Sequence, residues 1–313
     1  GGKQALEDRR HSFPGRPLLL NLASHDEVLP DNDCWLVASR YGALSEMDGI
    51  PMIFYGQEQG IQNYNSDPSY WYYDGFRTDH EVNFGKAIPH FKQWNQLMVW
   101  SNPPPNNTGL AQWYGRVNWA RLNSPALQSV NRYFLSTTDG DDNARIMAVA
   151  KYETAYASPE TGDVVLAFAN LFRHGESHTL ASDTYNLQPV WSLLGLNTGK
   201  YYNVRNLVSS NASTYVWASA KSGSELYNSG LYVSLGAGTV NPITADGEIV
   251  QYLKIEEANQ APVISLPGPH ILAIGSSTNF NVTASDADSD PVTLTNTVAP
   301  AGASFAGGVF SWT

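Results

Sequence analysis

The chain has 313 residues with a net charge of -11 at pH 7, and 42% of the residues are hydrophobic against 15% charged. This balance is typical of a globular protein with ample core and argues against a disordered chain. The acidic charge argues against non-specific nucleic-acid binding, which needs a basic surface, and no apolar run is long enough for a transmembrane helix.

The first predicted elements form a strand–helix–strand unit. The run "PLLLNLA" (17–23) is continuously apolar, as expected of a strand buried on both faces. Residues 31–49 have helical spacing of apolar side chains between N-capping aspartates and Gly49, and "IPMIFYG" (50–56) is a second apolar run. Because short connections join the three elements, the pattern predicts a βαβ unit with a parallel sheet.

A long polar and aromatic segment, residues 57–88, follows this unit. Loops of this length are commonly functional. Helical patterns come next at 89–100 and from about Leu110 to Leu135, the second one interrupted by Pro125. The order of elements predicts an α/β domain whose functional loops follow its strands, as in a barrel or a doubly wound sheet.

The pattern changes from about Arg145 to short β-rich runs separated by turn residues, which predicts an antiparallel β-sandwich. Proline and small residues cluster at 257–270 as in a linker, and strand-like runs follow at 278–286 and 291–298. The predicted domains are therefore residues 1–137, 138–257 and 258–313.

Two motifs in the first predicted domain resemble a known enzyme family. "NLASHDE" (21–27) and "GIPMIFYGQEQG" (49–60) look like the ends of the last two barrel strands in the α-amylase family, glycoside hydrolase family 13. "NWARLNSPALQSVNRYFL" (118–135) resembles the last barrel helix of that family. One departure is Ser24, which stands where the family often has Asn directly before its His-Asp pair.

The remaining chain extends the resemblance. The β-rich stretch after the last helix looks like the C-terminal sandwich of the family, called domain C. From Ala261 onward the chain is similar to a bacterial Ig or cadherin-like module, through "ASDADSDPVTLT" (284–295) and "FSWT" (310–313). The implied fold class is α/β plus all-β: the last two strand–helix units of a (β/α)8 barrel, then the domain C β-sandwich, then the start of an Ig-like β-sandwich.

The resemblance assigns the transition-state-stabilising carboxylate to Asp26 and a sugar-binding role to His25. A carboxylate beside the positive charge that develops during glycoside cleavage lowers the barrier. Glu27 is interpreted as a solvated loop acid. A metal site formed by these three side chains is disfavoured, because adjacent residues rarely converge on one ion.

Further candidates follow the second motif strand. Gly56 is assigned a tight turn, and Glu58 is assigned the orientation of groups that touch the sugar, with a purely structural hydrogen bond as the alternative. Trp71, Tyr72 and Tyr73 lie on the long loop and are candidates for stacking on the apolar faces of pyranose rings. The alternative for these three is a loop held down by its own aromatic cluster.

A third candidate site is "DADSD", in which Asp286, Asp288 and Asp290 alternate as the carboxylates of calcium loops do. A plain turn is the alternative, and calcium is the metal that this spacing favours. The glycosidase chemistry itself needs no cofactor.

The family's nucleophile and acid/base precede the seventh barrel strand, whereas only residues 1–17 precede the first motif here. A complete barrel takes about 250 residues. We therefore expect both groups to lie outside this chain and the 313 residues to be inactive alone.

The implied parent protein is a retaining O-glycosidase that acts on starch or maltooligosaccharides. The alternatives are a transglycosidase of the same family and a non-catalytic glycan-binding or cell-surface adhesion module. We expect a secreted bacterial protein, extracellular or at the cell surface, that is monomeric and takes an α-glucan or oligosaccharide as its partner.

Overall fold

The computed structural model describes residues 2–22, 34–53, 57–59, 108–140, 145–171, 182–235, 249–269, 271, 273–286 and 290–313. It divides into two compact units, Gly1–Glu256 and Glu257–Thr313. The first unit is mixed α/β and the second contains strands, and the described sheets are mostly antiparallel. None of the described helices is long and apolar enough to cross a membrane.

The predicted βαβ unit is confirmed. Strand β1 (Leu19–Asn21) pairs in parallel with β2 (Ile50–Met52), and helix α2 (Cys34–Ser45) connects them. A further helix, α1 (Gly2–Ser12), precedes β1 and was not predicted. Its sequence is polar and has no apolar stripe, so no helical spacing of apolar residues indicates a helix here.

The expectation that the first strand is buried on both faces is wrong. Leu20 is 6% exposed, whereas its neighbour Leu19 is 61% exposed and Ile50, the register partner of Leu19, is 53% exposed. Successive side chains of a strand point to opposite faces. Leu20 belongs to the core that α2 shares with the later helices, and the opposite face of the pair stays open.

The helical pattern from about Leu110 to Leu135 is correct in its first part. Helix α3 spans Thr108–Leu122 and a short helix α4 spans Pro125–Gln128, with the Ser124 hydroxyl accepting a hydrogen bond from the Leu127 amide as N-cap. The predicted helix beyond Gln128 is wrong, because Ser129 is extended and β3 (Arg132–Phe134) follows.

A six-stranded sheet forms the centre of the first unit, in the order β3, β4 (Ile146–Tyr152), β5 (Val164–Asn170), β10 (Val250–Glu257), β7 (Tyr201–Asn206) and β8 (Lys221–Ser222). The pairs β3–β4, β4–β5, β5–β10 and β7–β8 are antiparallel.

A second, two-stranded sheet completes the sandwich, formed by β6 (Ser182–Tyr185) and β9 (Leu231–Ser234) in antiparallel register. Helix α5 (Gly223–Ser229) leads into β9, and a short 3-10 helix (Gln188–Val190) follows β6.

The large sheet has a core on each face. On β4, Ile146, Ala148, Ala150 and Tyr152 pack into the core shared with β6 and β9. The intervening Met147 and Val149 pack into the core shared with α2 and α3. Residues from both of the predicted segments 1–137 and 138–257 thus build one core, while the predicted domain boundaries stay predictions.

The second unit contains two small sheets. Strand β11 (Val263–Ser265) pairs with β13 (Thr283–Ser285), and β12 (Thr278–Asn281) and β14 (Ala303–Ala306) flank β15 (Val309–Trp312). The predicted strand at 278–286 is confirmed as two short strands.

The strand predicted at 291–298 is not formed. Pro291 has no amide to donate to a ladder, and the side chain of Asn296 accepts a hydrogen bond from the Val298 amide at 3.0 Å, which makes a local turn. The Ig-like assignment of this unit stays a prediction.

Candidate functional site

The carboxyl ends of β1 and β2 meet at one edge of the parallel pair, since Asn21 and Met52 are register partners. Both sequence motifs continue from this edge. Most of the predicted site residues lie outside the described residues, namely His25, Asp26, Gly56, Trp71, Tyr72 and Tyr73.

Glu58 is the predicted site residue that the structure describes beside this edge. It lies in a short 3-10 helix, Gln57–Gln59, and is partly buried. Its Oε2 atom is buried and has no hydrogen-bond partner among the described residues. The neighbouring Gln57 is buried and donates from Nε2 to the Tyr114 hydroxyl at 3.0 Å, which fixes this turn to α3.

An aromatic cluster of Tyr41, Trp113 and Tyr114 lies next to the 3-10 helix, which is bonded to it through Gln57 and Tyr114. The ring centroids of Tyr41 and Tyr114 are 4.9 Å apart, and those of Trp113 and Tyr114 are 5.4 Å apart at nearly right angles. The Tyr41 hydroxyl donates to Asn118 Oδ1 at 2.6 Å, and burial raises the pKa of Tyr41. These contacts join α2 to α3 and give the strand edge a rigid base.

Arg121 holds the connection between α2 and β2. Its Nη1 atom donates to the carbonyl oxygens of Ser45, Met47 and Leu127 at 2.6, 3.0 and 2.7 Å, and its Nη2 atom donates to that of Gly49 at 2.6 Å. Burial lowers the pKa of Arg121. One guanidinium thus satisfies three carbonyls of the connection between α2 and β2 and a fourth, that of Leu127, in α4.

Two buried ionisable groups lie in the same core. Glu46 is fully buried, and neither of its carboxyl oxygens has a hydrogen-bond partner among the described residues. Burial raises the pKa of Glu46 well above its ordinary value, which favours the neutral acid.

Lys151 on β4 is the buried base. Its Nζ atom donates to the Ser129 carbonyl at 2.6 Å. Burial lowers the pKa of Lys151 to about 7, the positive charges of Arg132 and Arg121 act in the same direction, and the charge of Glu46 opposes them. The lysine therefore titrates near neutral pH inside the protein.

Sequence reasoning missed Gln57, Arg121, Glu46 and Lys151. A signal existed for Lys151, because the alternation in "RIMAVAKYE" puts it on the same strand face as Met147 and Val149. That face needed to be recognised as covered by helices, which the local pattern does not reveal.

The predicted calcium residues belong to the second unit. The Asp290 amide donates to Asp286 Oδ1 at 3.3 Å, and Asn259 Nδ2 donates to Asp290 Oδ2 at 2.9 Å. Asp288 lies outside the described residues. Within the described ranges, no three His, Cys, Asp or Glu side chains are grouped as metal ligands, and calcium binding stays a prediction.

No protein-family model and no curated protein matches the chain. Among solved structures, the chain is similar to the noncanonic maltogenic α-amylase AmyB from Thermotoga neapolitana, with 13% identity and a TM-score of 0.45. That match covers 80% of this chain and 44% of AmyB.

The chain is also similar to the trehalose-6-phosphate hydrolase TreA from Bacillus licheniformis, with 14% identity and a TM-score of 0.41, over 80% of this chain and 46% of TreA. It therefore spans less than half the length of either solved structure.

Proposed function

We propose that this chain is part of a retaining glycosidase of the α-amylase family that cleaves starch or maltooligosaccharides. In this proposal Asp26 stabilises the transition state, His25 hydrogen-bonds a sugar hydroxyl, and Trp71, Tyr72 and Tyr73 stack on sugar rings. The enzyme is proposed to be a secreted bacterial protein.

The parallel pairing of β1 with β2 is the observation that carries this proposal. It makes the two motifs that resemble the family continue from adjacent strand ends, since Asn21 and Met52 are register partners. Catalytic residues of (β/α)8 enzymes come from the carboxyl ends of the barrel strands. Asp26 follows the end of β1, and Glu58 follows the end of β2.

The structure around Glu58 supports its proposed orienting role. Its Oε2 atom is buried and has no described hydrogen-bond partner, while Gln57 anchors the same turn through Tyr114. A buried carboxylate oxygen without a partner is costly in a purely structural position. We propose that this oxygen accepts a hydrogen bond from a group beside the sugar.

Glycosidases need a pair of carboxyl groups that flank the scissile bond. The family's nucleophile and acid/base match no position of these 313 residues, so the chain alone is proposed to be inactive. Turnover of starch by the 313-residue chain, abolished by Asp26→Asn, would contradict this part of the proposal.

The decisive experiment uses the full-length protein that contains this chain. Asp26→Asn is expected to lower kcat on maltoheptaose by about a hundredfold or more, because a charge that acts in the transition state is removed. Glu27→Gln is the matched control and is expected to keep kcat within a few-fold. Proton NMR of the first product should show retained anomeric configuration.

The same experiment separates the alternatives. Longer glucans among the products, at the expense of hydrolysis, would identify a transglycosidase. Binding of maltoheptaose with no cleavage, unaffected by Asp26→Asn, would identify a glycan-binding module and refute the enzyme.

A further inference from the structure

A small pocket lies at the opposite, amino-terminal edge of the β1–β2 pair. Its lining includes Leu18, directly before β1, and Asp48, shortly before β2. The candidate residue Asp26 follows the carboxyl edge instead. A ligand in this pocket is therefore independent of the proposed glycosidase site.

Four arginines line this pocket: Arg9, Arg10, Arg16 and Arg132. We call it the arginine pocket. The turn after α1 brings Arg16 to the same place as the helix residues, since the Phe13 amide donates to the Arg9 carbonyl at 3.0 Å and the Arg16 amide donates to the Phe13 carbonyl at 3.3 Å. Main-chain hydrogen bonds thus place Arg16 close to Arg9 and Arg10.

The acids near the pocket are already engaged. Arg132 pairs through Nε with Glu7 Oε1 at 2.8 Å and through Nη1 with Asp48, and its side chain is 2% exposed. Asp8 does not line the pocket, and it accepts a hydrogen bond from the side chain of Gln4 at 2.8 Å.

The other three guanidiniums, those of Arg9, Arg10 and Arg16, have no hydrogen bond or ion pair with any described residue. The positive charge of Arg10 also reaches Lys151, whose pKa it helps to lower. The whole chain has a net charge of -11, so the local excess of positive charge at this pocket is opposite in sign to the net charge of the protein. Such a surplus favours an anionic ligand.

We infer that the arginine pocket binds a phosphate dianion, either free or as the end group of a larger phosphate monoester. Guanidinium groups match the oxygens of a phosphate in geometry and charge. The pocket has a volume of about 20 Å³, which is room for roughly one water-sized group. One phosphate oxygen therefore enters the pocket, and the rest of the ligand remains at the surface, where Arg9 and Arg16 are exposed.

The test titrates the 313-residue chain with inorganic phosphate and with glycerol 3-phosphate, followed by ³¹P NMR at constant ionic strength, because salt screens exposed charges. The double variant Arg9→Gln/Arg16→Gln is expected to weaken binding about tenfold or more, since hydrogen bonds between ionised groups are the strong ones. Both side chains are exposed, so the fold is expected to be unchanged, which circular dichroism checks.

Arg40→Gln on α2 removes one arginine charge from a residue that does not line the pocket, so it is the matched control for each of the single variants Arg9→Gln and Arg16→Gln. Equal affinity for the two probes assigns the pocket to phosphate itself, and tighter binding of glycerol 3-phosphate assigns it to a larger monoester. The inference is overturned if the Kd of both probes is above about 10 mM, because a Kd in that range means very weak association. It is also overturned if the double variant binds as the unchanged chain does.

Discussion

The hydroxyl of Tyr252 on β10 donates a hydrogen bond of 2.6 Å to the main-chain carbonyl of Gly42 in the middle of α2, 210 residues away in the chain. Both residues are buried, and burial raises the pKa of Tyr252 well above its ordinary value. Val250 on the same strand packs against Gly42 directly. The contact joins the βαβ unit to the central sheet at a point where the helix has no side chain.

Gly42→Ala is expected to destabilise the protein although alanine is the better helix former. A Cβ atom at Gly42 would lie 2.7 Å from Cγ2 of Val250, and overpacking of this kind costs about 1–3 kcal/mol. Gly115→Ala on α3 is the matched control, because nothing lies within 4 Å of its Cβ position. The control should gain about 0.5–1 kcal/mol in urea denaturation. Equal effects of the two substitutions would contradict the close approach of α2 and β10.

Arg121→Met is expected to lower the free energy of unfolding by about 3 kcal/mol or more, since each buried carbonyl that loses its partner costs about 1–3 kcal/mol. Four carbonyls depend on this guanidinium. Arg40→Met is the control, because Arg40 makes no hydrogen bond or ion pair within the described part of the chain. It should change the stability by no more than about 0.5 kcal/mol.

Glu46→Gln is expected to change how stability depends on pH. The pKa of Glu46 is raised in the folded protein, so its contribution is complete below the unfolded pKa of about 4.3 and is lost as pH rises toward the folded pKa. The slope is at most about 1.4 kcal/mol per pH unit. Urea denaturation from pH 4 to pH 7 should show this fall in the unchanged protein and not in Glu46→Gln. The exposed Glu160→Gln should keep the fall, and parallel curves for all three proteins would refute a buried, protonated Glu46.

Lys151→Met is expected to remove a pH dependence of the opposite sign. The pKa of Lys151 is about 7 in the folded protein, and its ordinary value is 10.5. Between these values the unfolded chain binds a proton that the folded protein does not, so stability rises with pH there, by at most about 1.4 kcal/mol per pH unit. Denaturation between pH 7 and pH 9.5 should show this rise in the unchanged protein and in the surface variant Lys221→Met.

In Lys151→Met the rise should be absent. The variant also loses the hydrogen bond to the Ser129 carbonyl, which shifts the whole curve without tilting it. A rise that persists in the variant would mean that another group causes it.

The sequence predicted the βαβ unit and the antiparallel sheet correctly because apolar or β-rich runs bounded by turn residues mark those strands, and the helix between β1 and β2 has helical spacing. It missed α1, whose polar helix is held by the ion pair of Glu7 with Arg132, a contact between distant parts of the chain. It extended the last helix too far, since Arg132–Phe134 pairs with β4 and the ladder prevails over helical spacing.

The candidate site was predictable only in part for a similar reason. Glu58 does follow the end of β2, as the motif indicates. The burial of Glu46 and Lys151 depends on which elements cover which sheet face, and local alternation contains no information about that. His25 and Asp26 lie outside the described residues, so their roles rest on the resemblance.

The core between the central sheet and helices α2 and α3 contains residues from both halves of the first unit. Val149, Val165 and Ala167 are completely buried on the face that α2 and α3 cover, so either half made alone would expose this surface to water. Two polypeptides cut between residues 140 and 145 should therefore aggregate separately and reassemble when they are produced together. The unit from Gly1 to Glu256 can therefore serve as a split protein, in which each fragment folds only when the other is present.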